Sequence, residues 1–309
     1  MAPKVLLMGE LFWAGPDAEE LLGGIAELVP MESQSREEFF QDCAPGGRYS
    51  DIVGIYHEHL SDKIGAGYDS VGVKAAKARG IGVSNTPGAV DEATATTAVF
   101  LLVATMRRFS WCEANLRAGG FNPPGVEESA RDLSGKTVGI LGMGGIGLKM
   151  ANYIRPFGCN LLYHNRRPNS LAPPDVKYVS ELYEFLGQLD VLMVSIPLSE
   201  KTRGFVGEKE IRTMKKGSII VNTARGPVID EEAMIKALQD GHLGSVGLDV
   251  FTKEPEVDQR LKDMKHITLL PHVGTENQEA RRKMERTALV NLKEFLTTGT
   301  GPNLVPECQ

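Results

Sequence analysis

Three glycines open this reading: Gly142, Gly144 and Gly147, in G-x-G-x-x-G spacing within the stretch GILGMGGIG. They follow an apolar run, TVGILG, and precede a segment with helical periodicity. In that setting the first glycine permits a tight turn. The second lets a pyrophosphate come up to the backbone, and the third lets helix and strand pack closely. The helix N-terminus then faces the phosphates. Met143, Gly145 and Ile146 complete the loop. The chemistry implied is dinucleotide binding.

A second stretch, LLYHNRRPNS, lies about twenty residues further on, where an NAD-binding fold places an acid at the end of its next strand. That acid accepts hydrogen bonds from the adenosine ribose 2′-hydroxyl, and its charge would repel the 2′-phosphate of NADP. Here His164 and Asn165 occupy the position, and Arg166 and Arg167 follow. Guanidinium groups bind phosphate with paired hydrogen bonds. NADP(H) is therefore the expected cofactor, with NAD(H) as the alternative. The plainer reading, two solvated surface arginines, stays open.

The bulk numbers suit a soluble globular protein of two domains. The chain has 309 residues, 42% of them hydrophobic and 24% charged. A net charge of −6 argues against general nucleic-acid binding, while leaving room for a local basic pocket. Cys43, Cys112, Cys159 and Cys308 are scattered without a C-x-x-C, so neither zinc nor a disulfide framework is expected, and a reducing compartment such as the cytoplasm fits. The start MAPKVLLMGE reads as a first strand and not a signal peptide, and the longest apolar run, AVFLLVATM, is too short to span a bilayer. His57 and His59 form an H-x-H on a strand, but nothing nearby completes a set of metal ligands, and no metal is expected.

Elements that could position these residues alternate from Thr137 onward. The runs TVGILG, NLLYH, DVLMVSIP, SIIVNTA, SVGLDV and ITLLPH are rich in Val, Ile and Leu, as expected of strands covered on both faces. Between them, Ile146, Met150, Ala151, Ile154 and Phe157 give one apolar helix face with Gly158 as a stop, and Asp230, Glu231 and Glu232 open a helix that Gly241 closes. Six strands with intervening helices read as a doubly wound parallel α/β sheet, a Rossmann domain. The first ninety residues show a shorter α/β pattern: strands at KVLLMG and DIVGIY, helical material around 17–28 and 35–42, then helix, glycine turn and strand in VGVKAAKARGIGVSNT. Long helices at about 91–109 and in EARRKMERTALVNLKEFLTTG flank the central domain, and the tail is expected to return to the first.

In GILGMGGIG, VNTARGPVIDEEAM, GLDVFTKEPEV and LPHVGTENQEARRKME the chain resembles the D-isomer-specific 2-hydroxyacid dehydrogenases, and the similarity runs through nearly its whole length. It is most similar to their fungal glyoxylate reductase and D-mandelate dehydrogenase-like branch. The resemblance implies two α/β domains. The smaller, discontinuous, flavodoxin-like domain binds substrate and covers 1–91 with 283–309 returning to it; the NAD(P)-binding domain covers 92–282. It implies a homodimer that transfers hydride between a nicotinamide and a small 2-keto or 2-hydroxy acid.

By motif, the family's catalytic arginine maps to Arg225 of NTARG, its acid to Glu254 of DVFTKEP, and its histidine to His272 of PHVGT. The roles are physically sensible. Arg225 could hold a carboxylate and polarise a ketone, and His272 could protonate the oxygen that hydride addition charges. Glu254 would stabilise the imidazolium. By the same resemblance Ile196, Pro197 and Thr202 of VSIPLSEKT lie under the cofactor. Thr223, Ala224 and Thr94 are near it, and Asp249 approaches the nicotinamide amide. Ala66 and Gly67 of GAGYD hold the substrate carboxylate, together with Arg225 and His272.

Two departures stand out. Thr96 replaces the acid that usually follows ATA. Only about nine residues separate DIVGIY from GAGYD, against roughly thirty in the usual pattern, so one βα unit of the substrate domain is expected to be missing. Three readings follow: reduction of glyoxylate or hydroxypyruvate with NADPH, reduction of bulkier 2-keto acids of the D-mandelate type, and a dinucleotide-binding protein with impaired catalysis. Intact Arg225, Glu254 and His272 favour an enzyme.

Overall fold

The computed structural model describes residues 2–57 and 67–309. It divides into two compact units, residues 1–90 with 276–309, and residues 91–275.

The first unit begins β1 (Lys4–Met8), α1 (Gly15–Leu22), β2 (Glu27–Pro30), α2 (Arg36–Asp42), β3 (Ile52–His57) and α3 (Val73–Lys77). Its sheet is parallel, in the order β2-β1-β3. The helical stretch expected over 17–28 ends at Leu22. Gly24 turns the chain in the left-handed region at φ +74°, and Leu28 and Val29 pair with Val5 and Leu6 as strand. The strand expected in GIGVSNT is reduced to an antiparallel bridge, Ser84 to Leu304, flanked by bonds from Asn85 N to Asn303 O and from Val305 N to Val83 O. A strand needs a partner for its backbone groups, and here the C-terminal tail supplies it. Among the described residues the sheet ends at β3, where Val53 and Ile55 stand exposed. The spacing that suggests a lost βα unit runs through residues 58–66, outside the described residues; so does His59.

The second unit carries α4 (Asp91–Arg107), α5 (Phe109–Arg117), α6 (Val126–Ser129), β4 (Thr137–Leu141), α7 (Gly145–Ile154), β5 (Asn160–His164), β6 (Lys177–Tyr178), α8 (Leu182–Gly187), β7 (Val191–Val194), α9 (Glu208–Thr213), β8 (Ser218–Asn222), α10 (Glu231–Gln239), β9 (Leu243–Leu248), α11 (Gln259–Asp263) and β10 (Thr268–Leu269). All its strand pairs are parallel, in the order β10-β9-β8-β7-β4-β5-β6. All six expected strands form, and the two-residue edge strand β6 joins them. Both faces are covered. On β7, Leu192 and Val194 enter one buried cluster and Val191 and Met193 the other, which is why its run shows no polar alternation. The strand order reverses between β4 and β7, beside the glycine loop that leaves β4; open α/β sheets bind ligands at such a point.

The long helix expected over 91–109 breaks at Arg108, which is left-handed at φ 60°. Its buried guanidinium caps carbonyls of Thr105, Ser129, Gly244 and His266, so one side chain satisfies the helix end and ties three further segments to it.

The C-terminal helix α12 (Gln278–Thr298) lies wholly in the first unit. The sequence-based boundary at 282/283 falls inside it; the compact units divide at 275/276. Buried Glu285 accepts the Trp13 and Ala14 N–H groups, at 2.9 and 2.7 Å, and Asp17 pairs with Arg282 and Arg286. Among the described residues no helix is long and apolar enough to cross a membrane.

Candidate active site

Arg225, Glu254 and His272 come together in the second unit, each at the exit of a strand. Arg225 follows β8 through a turn that Asn222 organises. The Asn222 side chain accepts from the Ala224 N–H and donates to the Arg225 carbonyl, both at 3.0 Å. Arg225 Nη1 donates to the Ala224 carbonyl at 2.9 Å, which orients the guanidinium. Next in the chain, Gly226 must be glycine: a Cβ there would lie 2.0 Å from the Phe251 carbonyl carbon. That close approach brings the Arg225 turn against the loop that carries Glu254.

Glu254 bridges its own loop and the histidine. Oε1 accepts from the Phe251 N–H at 2.8 Å, and Oε2 lies 2.6 Å from His272 Nδ1. Burial pushes this carboxyl up, but the bonds from His272 and Phe251 and the charges of His272 and Arg225 outweigh it and hold it below its ordinary value. The two side chains are 27% and 28% exposed, so the pair is sheltered yet reachable.

His272 sits in the left-handed region at φ 55°, a conformation that non-glycine residues adopt at a cost. Asp249 holds it there. One carboxylate oxygen accepts from Val273 N–H and the other from Gly274 N–H, both at 2.8 Å. Sequence comparison gives Asp249 a place at the nicotinamide amide. In the fold both its oxygens are committed to the turn that aims the imidazole. Buried Thr94 of α4 lies against the same turn: a Cβ on Gly274 would be 3.9 Å from its Oγ1.

The glycine loop passes a test of fit for a dinucleotide. A Cβ on Gly142 would lie 2.6 Å from the Ser195 carbonyl oxygen, and one on Gly147 would lie 2.2 Å from that of Gly142. The protein itself fills both places. A Cβ on Gly144 would meet nothing within 4 Å, so the space beside that residue is open to a phosphate group, whereas one on Gly145 would meet the Asp91 carboxylate. Gly145 and Ile146 form the first turn of that helix, and Met143 is buried beneath the loop. Asn165 Oδ1 accepts from the Met143 N–H at 2.8 Å. Arg166 and Arg167 are exposed, with no ion-pair partner among the described residues.

Other expected residues fall as follows. Thr202 ties the loop after β7 together, accepting from the Ser199 N–H and donating to the Pro197 carbonyl, both at 2.7 Å. Ile196 is half-buried and Pro197 exposed on that loop, while Thr223 is buried ahead of Ala224. Thr96 turns outward and its hydroxyl bonds to the Glu92 carbonyl of its own helix. Gly67 is exposed and belongs to the other unit, Ala66 lies outside the described residues, and His57 ends β3. Reading by motif missed Asn222. An Asn two residues before a required turn residue is a local signal that could have found it.

Comparison with known proteins agrees with this geometry. The family model for the NAD-binding domain of D-isomer-specific 2-hydroxyacid dehydrogenases matches residues 99–274. A 4-methyl-2-oxopentanoate reductase A of Aspergillus oryzae is 40% identical over 330 residues, covering 99% of this chain and 98% of that one. That aligned length exceeds the 309 residues here, so gaps open in this chain. The crystal structure of a glyoxylate reductase from Paecilomyes thermophila superposes with a TM-score of 0.91 at 37% identity, over 100% of this chain and 99% of that one. A D-mandelate dehydrogenase of Rhodotorula graminis gives 0.90 at 29% identity, over 99% and 98%. The chain belongs to the D-isomer-specific 2-hydroxyacid dehydrogenase family, and it is an enzyme built on a nicotinamide-dinucleotide-binding Rossmann domain.

Proposed function

We propose that the protein is an NADPH-dependent reductase of small 2-keto acids, glyoxylate and hydroxypyruvate first among them. The observation that carries the chemistry is the 2.6 Å contact between Glu254 and His272, set beside Arg225. With its pyrophosphate held at the glycine loop, a nicotinamide dinucleotide would supply hydride to the keto carbon. Arg225 binds the substrate carboxylate and draws charge onto the ketone oxygen. His272 donates a proton to that oxygen from Nε2, because Nδ1 is engaged by Glu254. Glu254 fixes the ring and balances its positive charge. Gly142 to Ile146, with Thr94, Thr223, Ala224, Ile196, Pro197 and Thr202, hold the dinucleotide. The cytoplasm is in keeping with four unpaired cysteines. A homodimer is supported by Phe100, Phe109, Leu116 and Phe121, large apolar side chains left exposed along and just after α4 and α5.

A second reading, reduction of bulkier 2-keto acids, is favoured by the Aspergillus relative and its named substrate. Turnover with NADPH against glyoxylate, hydroxypyruvate, 4-methyl-2-oxopentanoate and benzoylformate separates the two. A higher kcat/KM for either of the first two supports the first reading, a higher value for either of the others the second. No turnover of any of the four would leave dinucleotide binding alone.

The cofactor half has its own test. Arg166 and Arg167 follow the end of β5, the strand end that meets the adenosine ribose in dinucleotide-binding folds, and charge-assisted hydrogen bonds contribute roughly 1.5–3 kcal/mol each. Replacing both by Ala is expected to weaken NADPH binding by at least about tenfold while leaving NADH nearly unchanged, read by titration of nucleotide fluorescence. Equal affinity for the two nucleotides in the unmodified protein would sink the assignment.

A further inference from the structure

The loop that carries Arg166 and Arg167 is braced at both ends to one residue, Met143, in the middle of the glycine loop. At the near end, Asn165 Oδ1 accepts from the Met143 N–H at 2.8 Å. At the far end, Asn169 Nδ2 donates to the Met143 carbonyl at 2.7 Å. Both backbone groups of Met143 are thus taken by side chains 22 and 26 residues further along the chain. Met143 itself is 1% exposed and cannot shift to follow a moving loop.

The brace continues behind the arginines. Asn169 N–H donates to the Tyr163 hydroxyl at 3.1 Å, and its Oδ1 accepts from Leu171 N–H at 2.9 Å. Tyr178 OH donates to the Asn165 carbonyl at 3.1 Å, and the Tyr163 and Tyr178 rings lie 5.2 Å apart. Between the two asparagines stand only Arg166, Arg167 and Pro168, and the proline removes one backbone freedom. Five residues anchored at both ends, on the same residue that follows Gly142, form a fixed bracket.

We infer that Asn169 is a positioning residue for cofactor discrimination: it holds the backbone that carries Arg166 and Arg167 at a fixed distance from the pyrophosphate-binding backbone. This rests on the reading that those arginines bind the 2′-phosphate. A flexible loop would have to be ordered on binding, which costs affinity. The bracket removes the backbone share of that cost in advance. It also explains why an asparagine ends NRRPN: its amide both donates to a carbonyl and accepts from an N–H, which no aliphatic or acidic side chain does.

The test is nucleotide binding, measured by calorimetry on the full chain with four ligands: NADPH, NADH, adenosine 2′,5′-bisphosphate and 5′-AMP. Asn169→Ala is expected to weaken NADPH and the bisphosphate by about tenfold, the loss of one or two net hydrogen bonds. NADH and 5′-AMP should stay within about threefold, because the backbone at Gly144 is retained. In the Arg166→Ala, Arg167→Ala background the same substitution should have no further effect on NADPH, since the groups it positions are gone. An equal loss for all four ligands would show a general loop defect and overturn the inference, and so would no loss for any. The outcomes also separate from the parent reading. If the double arginine variant keeps its NADPH preference, that reading falls. If it loses the preference while Asn169→Ala keeps it, only the bracket falls. Should Asn169→Ala not fold, Tyr163→Phe removes the hydroxyl that accepts from the Asn169 N–H. It should then show the same selectivity at about threefold.

Discussion

Replacing His272 by Asn is expected to lower kcat for keto-acid reduction by about 10²–10⁴-fold while NADPH binds as before. Asn is the informative choice. His272 occupies φ 55°, where Ala would add backbone strain of its own, whereas Asn tolerates the left-handed region. The bonds from Asp249 to Val273 and Gly274 remain, so the turn keeps its shape and the lost group is the imidazole alone. A fall in kcat with an unchanged dissociation constant for NADPH marks an interaction made during the chemical step. Unchanged kcat would remove His272 from the mechanism. Glu254 sets the pH range over which the pair exists. Its carboxyl is held below the ordinary value of 4.5, so the native pairing stabilises the fold at and above that pH. The contribution is lost only as pH falls through the lower native value. Around neutrality Glu254 stays charged, and Glu254→Gln at pH 7 removes a charge and not a proton.

Much of this was legible in the residues, for reasons that also explain what was not. The six strands around the glycine loop are short, mostly rich in Val, Ile and Leu, and largely buried on both faces, a pattern that depends on the strand's own sequence. Arg225, Glu254 and His272 stood out because each sits in a motif that resembles the family's, and the fold brings the three together. Edges were less readable. The two-residue β6 carries no periodicity, β2 follows two glycines and begins inside a stretch that reads as helix, and the expected strand at 81–86 depends on which neighbour is present. Least readable were the residues that act at a distance. Asn169 reaches Met143 across 26 positions and Asp249 reaches Gly274 across 25, and no local rule predicts that a loop asparagine meets one particular carbonyl. Such contacts exist only once the sheet has brought the strand ends side by side.

Arg225→Gln is expected to cut kcat/KM for any 2-keto acid by about 10²–10⁴-fold, with NADPH affinity unchanged. The estimate follows from the loss of two charge-assisted hydrogen bonds at roughly 1.5–3 kcal/mol each, converted at about 1.4 kcal/mol per factor of ten. Gln keeps the methylene stem and a polar tip but is two atoms shorter and uncharged, and the Asn222 bonds that shape the turn involve only backbone of residues 224 and 225, so the turn should hold. Two features tie the size of the effect to Arg225 itself. Its Nη1 is fixed on the Ala224 carbonyl, so the guanidinium is oriented before substrate arrives. Its charge is felt by Glu254, so removing it weakens one of the influences that keep that carboxylate ionised. The two consequences have different signatures. Loss of carboxylate binding raises KM, whereas a disturbed acid pair lowers kcat and moves the acid limb of the pH–rate profile toward higher pH. Added guanidinium ion should recover part of the activity of Arg225→Ala, because it restores charge and donors without the tether. If Arg225→Gln turns over glyoxylate, hydroxypyruvate and the bulkier keto acids at the unmodified rate and KM, the carboxylate is held elsewhere, and the roles of Arg225 and His272 must be drawn again from a different substrate orientation.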